Sequence, residues 1–279
     1  EWVNDAAFTT NSIDYSDIQT LVTSAEDAER EVLKTNYWKE YFVSVCDNET
    51  MITALDHLKF DLATKLTWLN AEMTITSWEL NYSDIQPWIV HANTTEKNAL
   101  KTPEWRSFFI DVCDNETIIT ALDNLEFDLV TKLTWLQQEV FITSWELNYE
   151  TIQPWIVHAN TSQTERDSLK VDWLSFFVDI CDNETMVTAL DELKFDLATK
   201  LTWINEEMTV TSWELDYSTI KPWIIHANTT QPERDALNTE TWISFFVDVC
   251  TENNIVEAVN DLNFDQPIKV TWIIAETVG

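Results

Sequence analysis

Hydrophobic residues recur at intervals of three and four along most of the chain, the spacing of one face of an α-helix. A helix is predicted to begin at Thr102-Pro103-Glu104, a capping hydroxyl followed by proline and an acid, and to run through Val112. A second helix is predicted to begin at Asp114-Asn115-Glu116, and a third, longer one covers residues 127–147. These segments predict at least three helices in about 50 residues of chain.

Threonine-rich stretches such as MTITSWEL, residues 73–80, leave a strand open as an alternative, because Thr, Ile and Trp favour pleated surfaces. A helix is favoured by Asp61 and Lys65, which stand four residues apart in the order that supports a helix face through an ion pair. The same pair recurs as Asp128–Lys132, Asp196–Lys200 and Asp265–Lys269. The chain has one glycine and six prolines, so it lacks most of the residues that hairpin turns need.

The helical pattern belongs to a repeat. FVSVCDNET at residue 42 returns as FIDVCDNET at 109, FVDICDNET at 177 and FVDVCTENN at 246, with spacings of 67, 68 and 69 residues. The predicted units are 13–79, 80–146, 147–214 and a truncated 215–279. Residues 1–12 resemble residues 67–78 and are interpreted as the tail of a preceding repeat or an N-terminal cap. The predicted fold is all-α, with four tandem repeats of three to four helices each, arranged as an α-solenoid or a closed helical array.

The net charge of the chain limits the classes of molecule that it is expected to bind. With 16 Lys and Arg against 49 Asp and Glu, the formal net charge is −33. Such a field repels nucleic acid and anionic membranes, and it attracts a basic protein or a cation, divalent metals included. No apolar run approaches the roughly 20 residues that a membrane-spanning helix needs.

Seven N-x-Ser/Thr sequons favour a secreted or extracellular glycoprotein, although they derive from three repeated positions. Their asparagines are Asn48, Asn81, Asn93, Asn115, Asn160, Asn183 and Asn228.

Each repeat carries one cysteine, so a disulfide within a repeat is excluded. The four are Cys46, Cys113, Cys181 and Cys250. Helices in a solenoid lie about 10 Å apart, whereas a disulfide needs Cα atoms within about 7 Å. Buried free thiols are therefore favoured over disulfides between repeats, and the absence of CxxC argues against zinc.

The fifteen tryptophans fall into equivalent series. These are Trp38, Trp105, Trp173 and Trp242; Trp2, Trp68, Trp135, Trp203 and Trp272; Trp78, Trp145 and Trp213; and Trp88, Trp155 and Trp223. One interpretation is that they fill space between packed helices. The other is that one series lines a groove or cavity that takes a flat, apolar or cationic ligand.

The fourth series is the candidate for ligand contact, because each of its tryptophans precedes a histidine by three residues and so shares a helix face with it. The candidate residues are Trp88, His91, Trp155, His158, Trp223 and His226. Alternatively, each histidine closes a short helix and its ring meets the terminal carbonyls.

No motif for catalysis, a cofactor or a metal is present, and every candidate residue recurs in several copies, so no enzyme is predicted. The first functional hypothesis is a carrier that binds a hydrophobic or aromatic small molecule in a Trp-lined groove. The alternatives are a structural, storage or surface-interaction glycoprotein with an acidic face, and divalent cation binding by that face.

Overall fold

A computed structural model describes residues 13–278, which form twenty α-helices and contain no strand. The all-α prediction is confirmed, and the strand alternative for residues 73–80 is wrong. The N-terminal segment 1–12, including Trp2, lies outside the described residues. The first predicted repeat contains α1 (Tyr15–Ser24), α2 (Asp27–Val32), α3 (Asn36–Val45), α4 (Asn48–Leu58) and α5 (Leu62–Thr76).

The other three repeats follow the same order. The second contains α6 (Tyr82–His91), α7 (Thr94–Ala99), α8 (Pro103–Val112), α9 (Thr117–Leu125) and α10 (Leu129–Thr143). The third contains α11 (Tyr149–Val157), α12 (Gln163–Asp167), α13 (Leu174–Ile180), α14 (Asn183–Leu193) and α15 (Leu197–Thr211). The fourth contains α16 (Tyr217–Ile225), α17 (Gln231–Asp235), α18 (Glu240–Val249), α19 (Asn254–Asp261) and α20 (Gln266–Val278).

Each repeat therefore has five helices, and the predicted three to four is wrong. The second helix of each repeat is short, and capping boxes stabilise its start. In α7, the Asn93 side chain accepts the backbone N–H of Glu96 at 3.1 Å, and the Glu96 carboxylate accepts the N–H of Asn93 at 3.0 Å. Two orphan N–H groups are satisfied in this way, so a helix of six residues forms.

The described chain divides into two compact units. The N-terminal unit contains the chain up to Phe127 together with Thr131–Trp145, and the C-terminal unit contains Asp128–Val130 and the chain from Glu146 onward. Within each unit, the first helix of a repeat packs on the fourth, as α1 does on α4. The fifth helix of one repeat packs on the second helix of the next, as α5 does on α7 and α15 on α17.

An aromatic cluster forms the core of every repeat. In the first repeat the ring centroid of Trp68 lies 5.6 Å from that of Phe42 and 5.2 Å from that of Phe60. Tyr15 of α1 joins this cluster at 6.4 Å from Phe42. The equivalent tryptophans Trp135, Trp203 and Trp272 are buried in the same manner. The four described members of the second tryptophan series therefore fill the core, as one of the two interpretations held.

In the first three repeats the fourth and fifth helices end on residues in the left-handed conformation, and Asn263 adopts it two residues after α19, although none of these residues is glycine. In the first repeat Lys59 has φ 53° and Ser77 has φ 56°. The other members are Glu126, Ser144, Lys194, Ser212 and Asn263. Ser144 ends α10 at Thr143, so the third predicted helix stops four residues before its expected end at residue 147. A left-handed residue breaks the helix even where glycine is absent, at a cost in backbone strain.

Ion pairs connect the helices in an arrangement that differs from the predicted one. Asp61 caps α5 by accepting the N–H of Thr64 at 3.0 Å, and it contacts Lys34 at 3.4 Å. Lys65 pairs with Asp56 at 2.8 Å. Burial acts to raise the pKa of Asp61, but the hydrogen bonds from Thr64 and Lys34 outweigh it and the pKa lies below its usual value. The prediction of a helix is confirmed, while the predicted pairing of Asp61 with Lys65 is wrong.

Candidate functional site

Trp88 lies on α6 at the joint between the first and second repeats, where three side chains meet. Its indole Nε1–H donates to Asp56 Oδ1 at 2.6 Å, and Lys65 Nζ lies 2.8 Å from the same oxygen. Lys65 Nζ is also 4.4 Å from the centroid of the indole ring. One face of the ring and its one polar atom are therefore engaged within the protein.

The C-terminal unit repeats this joint. Lys200 pairs with Asp191 at 2.7 Å, and its Nζ lies 4.9 Å from the ring centroid of Trp223. Trp223 is only 5% exposed and Trp155 only 6%. Trp88 and Trp223 of the candidate series thus contact a lysine of the preceding helix.

The three candidate histidines end their helices and are exposed. His158 Nδ1 accepts the backbone N–H of Asn160 at 3.1 Å, and His226 Nδ1 accepts that of Asn228 at 3.1 Å. In these two copies the ring accepts a backbone N–H, so the predicted contact with terminal carbonyls is wrong there. The second ring nitrogen of each remains at the exposed surface.

Two grooves bring a candidate tryptophan and its histidine together. In the N-terminal unit, Trp88 and His91 line a groove of about 290 Å³. In the C-terminal unit, Trp223 and His226 line a groove of about 740 Å³, the Trp223 groove. Its charged lining residues are Asp167, Lys170, Asp191, Lys194, Asp196, Lys200 and Glu233. The Trp223 groove thus contains the predicted tryptophan and histidine, but its wall is strongly polar and Lys200 covers the tryptophan ring.

The seven sequon asparagines fall into two environments. Asn81, Asn93, Asn160 and Asn228 are exposed at the edges of the first and second helices, whereas Asn48, Asn115 and Asn183 are half-buried beside the start of the fourth helix. Asn228 also lines the Trp223 groove. A glycan at Asn228 would therefore stand at the entrance of that groove.

The four cysteines follow the last residue of the third helix in each repeat and are free thiols. Cys113 donates its backbone N–H to the carbonyl of Phe109 at 3.0 Å, which closes α8. Burial raises the pKa of all four thiols to about 12. Thiols with such a pKa stay protonated near neutral pH and are poor nucleophiles.

Buried glutamates beside these thiols are a feature that the sequence analysis missed. Glu72, Glu139 and Glu207 occupy equivalent positions on the fifth helix, are at most 1% exposed, and have carboxylate oxygens without a hydrogen-bond partner. Burial raises the pKa of each, and in Glu139 the charges of Asp111 and Asp114 raise it further. The available signal was a glutamate returning every 67 or 68 residues three positions after a core residue, Leu69 in the first repeat.

A third groove, the Trp78 groove, was also missed. It has a volume of about 610 Å³ and lies in the N-terminal unit, between the segment that joins α5 to α6 and the end of α8. Trp78, Glu79, Asp111, Cys113 and Asp114 are among its lining residues. None of its described lining residues is Lys, Arg or His. This groove combines an aromatic ring with three carboxylates.

Within residues 13–278, no group of three or more His, Cys, Asp and Glu side chains is arranged to hold a metal ion. No helix in the same range is both long and apolar enough to cross a membrane. Comparisons with protein-family models, with curated proteins and with solved structures found no match.

Proposed function

We propose that this chain is a non-enzymatic, extracellular interaction protein that binds a basic protein through its carboxylate-rich surface. The observation that supports this proposal is the uneven exposure of its charges: most lysines and arginines are buried or half-buried, whereas most carboxylates other than the buried glutamates of the fifth helices are exposed. The formal charge of −33 therefore understates how acidic the solvent-facing surface is.

The lysines at the joints illustrate the imbalance. The side chains of Lys65 and Lys200 are 13% and 12% exposed, whereas their partners Asp56 and Asp191 are 52% and 54% exposed. Arginines are buried in a different role: Arg166 donates through Nε and Nη2 to the carbonyl of Ile156, at 3.1 and 2.9 Å. A partner approaching from solvent thus meets the acid of each pair first.

Several of the exposed carboxylates are held in the charged form. Backbone and side-chain hydrogen bonds from Thr117 lower the pKa of Asp114, and those from Thr185 lower the pKa of Asp182. The same carboxylates return in successive repeats, so one molecule presents several similar acidic patches. Repeated patches favour a partner that carries several basic groups, because linked contacts raise the overall affinity.

Calorimetric titration with a short lysine-rich peptide tests the proposal, with the same peptide carrying glutamine for lysine as control. We expect the lysine peptide to bind at an ionic strength of about 0.15 M, to weaken as salt rises, and the glutamine peptide to give no heat. No binding of the lysine peptide at 0.15 M would contradict the proposed function.

A small-molecule carrier is the second candidate, favoured by the Trp223 groove and by the presence of both Trp223 and His226 in its lining. The ligand proposed for this function is a hydrophobic or aromatic small molecule. Native mass spectrometry of protein from its own source tests it, since a carried ligand gives an extra mass that disappears on denaturation. A mass explained by polypeptide and glycans alone would count against the carrier.

A further inference from the structure

The tryptophan series that contains Trp78 differs from the other three in having an open ring. Trp68 is packed in the aromatic core, Trp88 lies under Lys65, and Trp105 packs edge-on against Phe108 at 5.7 Å. Trp78 is half-buried, and among the described residues no aromatic ring or lysine contacts its ring. The ring does line the Trp78 groove, and an aromatic ring beside carboxylates is the combination with which proteins recognise organic cations.

Charge around the Trp78 groove is negative and uncompensated. Glu79, Asp111 and Asp114 line it, and none of its described lining residues carries a positive charge. Asp114 accepts the backbone N–H of Thr117 at 2.8 Å and that of Glu116 at 3.1 Å, and these bonds keep it ionised. A cation entering the groove would therefore meet the Asp114 carboxylate in a position fixed by hydrogen bonds.

Glu139 is a buried carboxyl that senses the charges of the groove lining without itself lining the groove. Its side chain is 1% exposed, and neither carboxylate oxygen has a hydrogen-bond partner. Besides burial, the charges of Asp111 and Asp114 raise its pKa, so Glu139 interacts electrostatically with two residues of the groove lining. A buried acid without a partner is costly, and a positive charge held by Asp111 and Asp114 would lower that cost.

We propose that the Trp78 groove binds the guanidinium or ammonium group of one basic side chain of a protein partner, between the Trp78 ring and the carboxylates of Glu79, Asp111 and Asp114. This inference deepens the proposed function and rests on it, because it assigns one contact of the acidic surface to a defined place. A bare metal ion is a poorer occupant: the residues present form no three-ligand group, and a groove of about 610 Å³ is far larger than an ion.

The third repeat keeps the same acidic set, with Asp179, Asp182 and the buried, unpartnered Glu207. The end repeats do not: Ser44 stands in place of Asp111 in the first, and Thr251 in place of Asp182 in the fourth. The proposed contact therefore belongs to the inner repeats.

Fluorine NMR on the whole protein, labelled with fluorotryptophan, tests the site. The probe is Nα-acetyl-arginine methylamide, the control is its neutral citrulline analogue, and Trp78→Phe assigns the resonance. We expect the Trp78 resonance to shift saturably with the arginine probe and to stay in place with citrulline. Equal shifts with both probes, or no saturable shift, would overturn the inference.

Charge-matched variants extend the test. We expect Asp111→Asn to weaken binding of the arginine probe at least about tenfold, whereas Glu104→Gln, which removes an exposed charge outside the groove lining, leaves it unchanged. Equal effects of the two substitutions would show that the probe responds to the overall negative charge of the protein and not to the groove, and would overturn the inference. Melting curves verify that both variants are folded.

The two proposals fail separately. Binding of the lysine peptide with the same affinity in wild-type protein and in Asp111→Asn would contradict the groove and leave the acidic interaction surface standing. A saturable shift of Trp78 with the arginine probe, in a protein that ignores the lysine peptide at about 0.15 M salt, would contradict the proposed function and leave a small-cation site.

Discussion

Lys65 lies over the indole ring of Trp88, with its Nζ 4.4 Å from the ring centroid, while both residues contact the same oxygen of Asp56. The contact joins α5 of one repeat to α6 of the next. Cation–π contacts of this kind contribute roughly 0.5–2 kcal/mol, depending on how far the cation is removed from water. The lysine, 13% exposed, is well removed, so the joint is more than a surface ion pair.

A double-mutant cycle measures this joint. We expect Lys65→Met and Trp88→Leu to show a coupling free energy of about 1 kcal/mol in urea unfolding, because each substitution removes the same contact. The equivalent cycle with Lys200 and Trp223 serves as the internal comparison in the C-terminal unit. A coupling near zero in both cycles would show that the rings and the lysines act independently.

Substitution of Trp155 distinguishes between the packing and the ligand-lining interpretation of its tryptophan series. The side chain is 6% exposed, so Trp155→Ala should lower the free energy of unfolding by about 3–5 kcal/mol. An unchanged melting temperature of the ligand-free variant would instead support a lining role. Trp78→Ala is the matched variant, because its half-buried ring should contribute less to stability.

The buried glutamates make stability depend on pH. Burial raises the pKa of Glu207, so the stability that its proton contributes is complete below the ordinary glutamate pKa and is lost as pH rises through the folded-state pKa. We expect Glu207→Gln to stabilise the protein at pH 7.5 by about 1–2 kcal/mol and to have little effect near pH 4, where both side chains are neutral.

Glu206 supplies the control for that measurement, because it is adjacent to Glu207 and exposed. Glu206→Gln removes the same formal charge without removing a buried carboxylate. Thermal melting of both variants at the two pH values tests the difference. Equal stabilisation by the two substitutions would attribute the effect to net charge.

The left-handed helix ends offer a gain in stability. Ser212 ends α15 with φ 56°, a conformation that glycine adopts without a side-chain clash. Ser212→Gly should raise the free energy of unfolding by up to about 1 kcal/mol. Ser107→Gly, in the middle of α8, should lower it by about the same amount, because glycine there costs backbone entropy.

The thiols should react slowly in the native protein. With the pKa raised to about 12, only a very small fraction of Cys113 is thiolate at pH 7.5, so we expect alkylation to be at least about 100-fold slower than for a free thiol. Mass spectrometry after alkylation, with and without denaturant, checks this. Fewer than four labels on the denatured, unreduced chain would show that disulfides are present.

The sequence predicted the parts of this fold that depend on local chemistry. Proline at the first position of α8 marks the start of that helix, and the spacing of FVDVC-type motifs identifies the repeat. The short second helices were missed, because six residues such as Thr94–Ala99 carry too little hydrophobic periodicity. The partner of Lys65 was missed because Asp56, nine residues away, meets it only after α4 and α5 pack together.

The candidate sites likewise combine features that the local sequence predicts with features that depend on how distant helices pack. Sequence periodicity groups the tryptophans into series but does not distinguish the environments of Trp68, Trp78 and Trp88. Trp68 lies in the aromatic core, Trp78 lines a groove, and Trp88 contacts Lys65 of the preceding repeat. Their environments arise from helices of different repeats and cannot be read from spacing alone. Glu139 escaped notice for a related reason, since carboxylates are numerous and burial distinguishes only a few of them.

Because the aromatic cluster lies inside each repeat, as Trp135 does with Phe109 and Phe127, each repeat has a small core of its own. A chain pulled from its ends should then lengthen in steps, one repeat at a time, each releasing on the order of 200 Å of extended polypeptide. Single-molecule stretching would record these steps as a sawtooth of similar peaks. Under mechanical load such a protein would unfold repeat by repeat and would dissipate energy at every step.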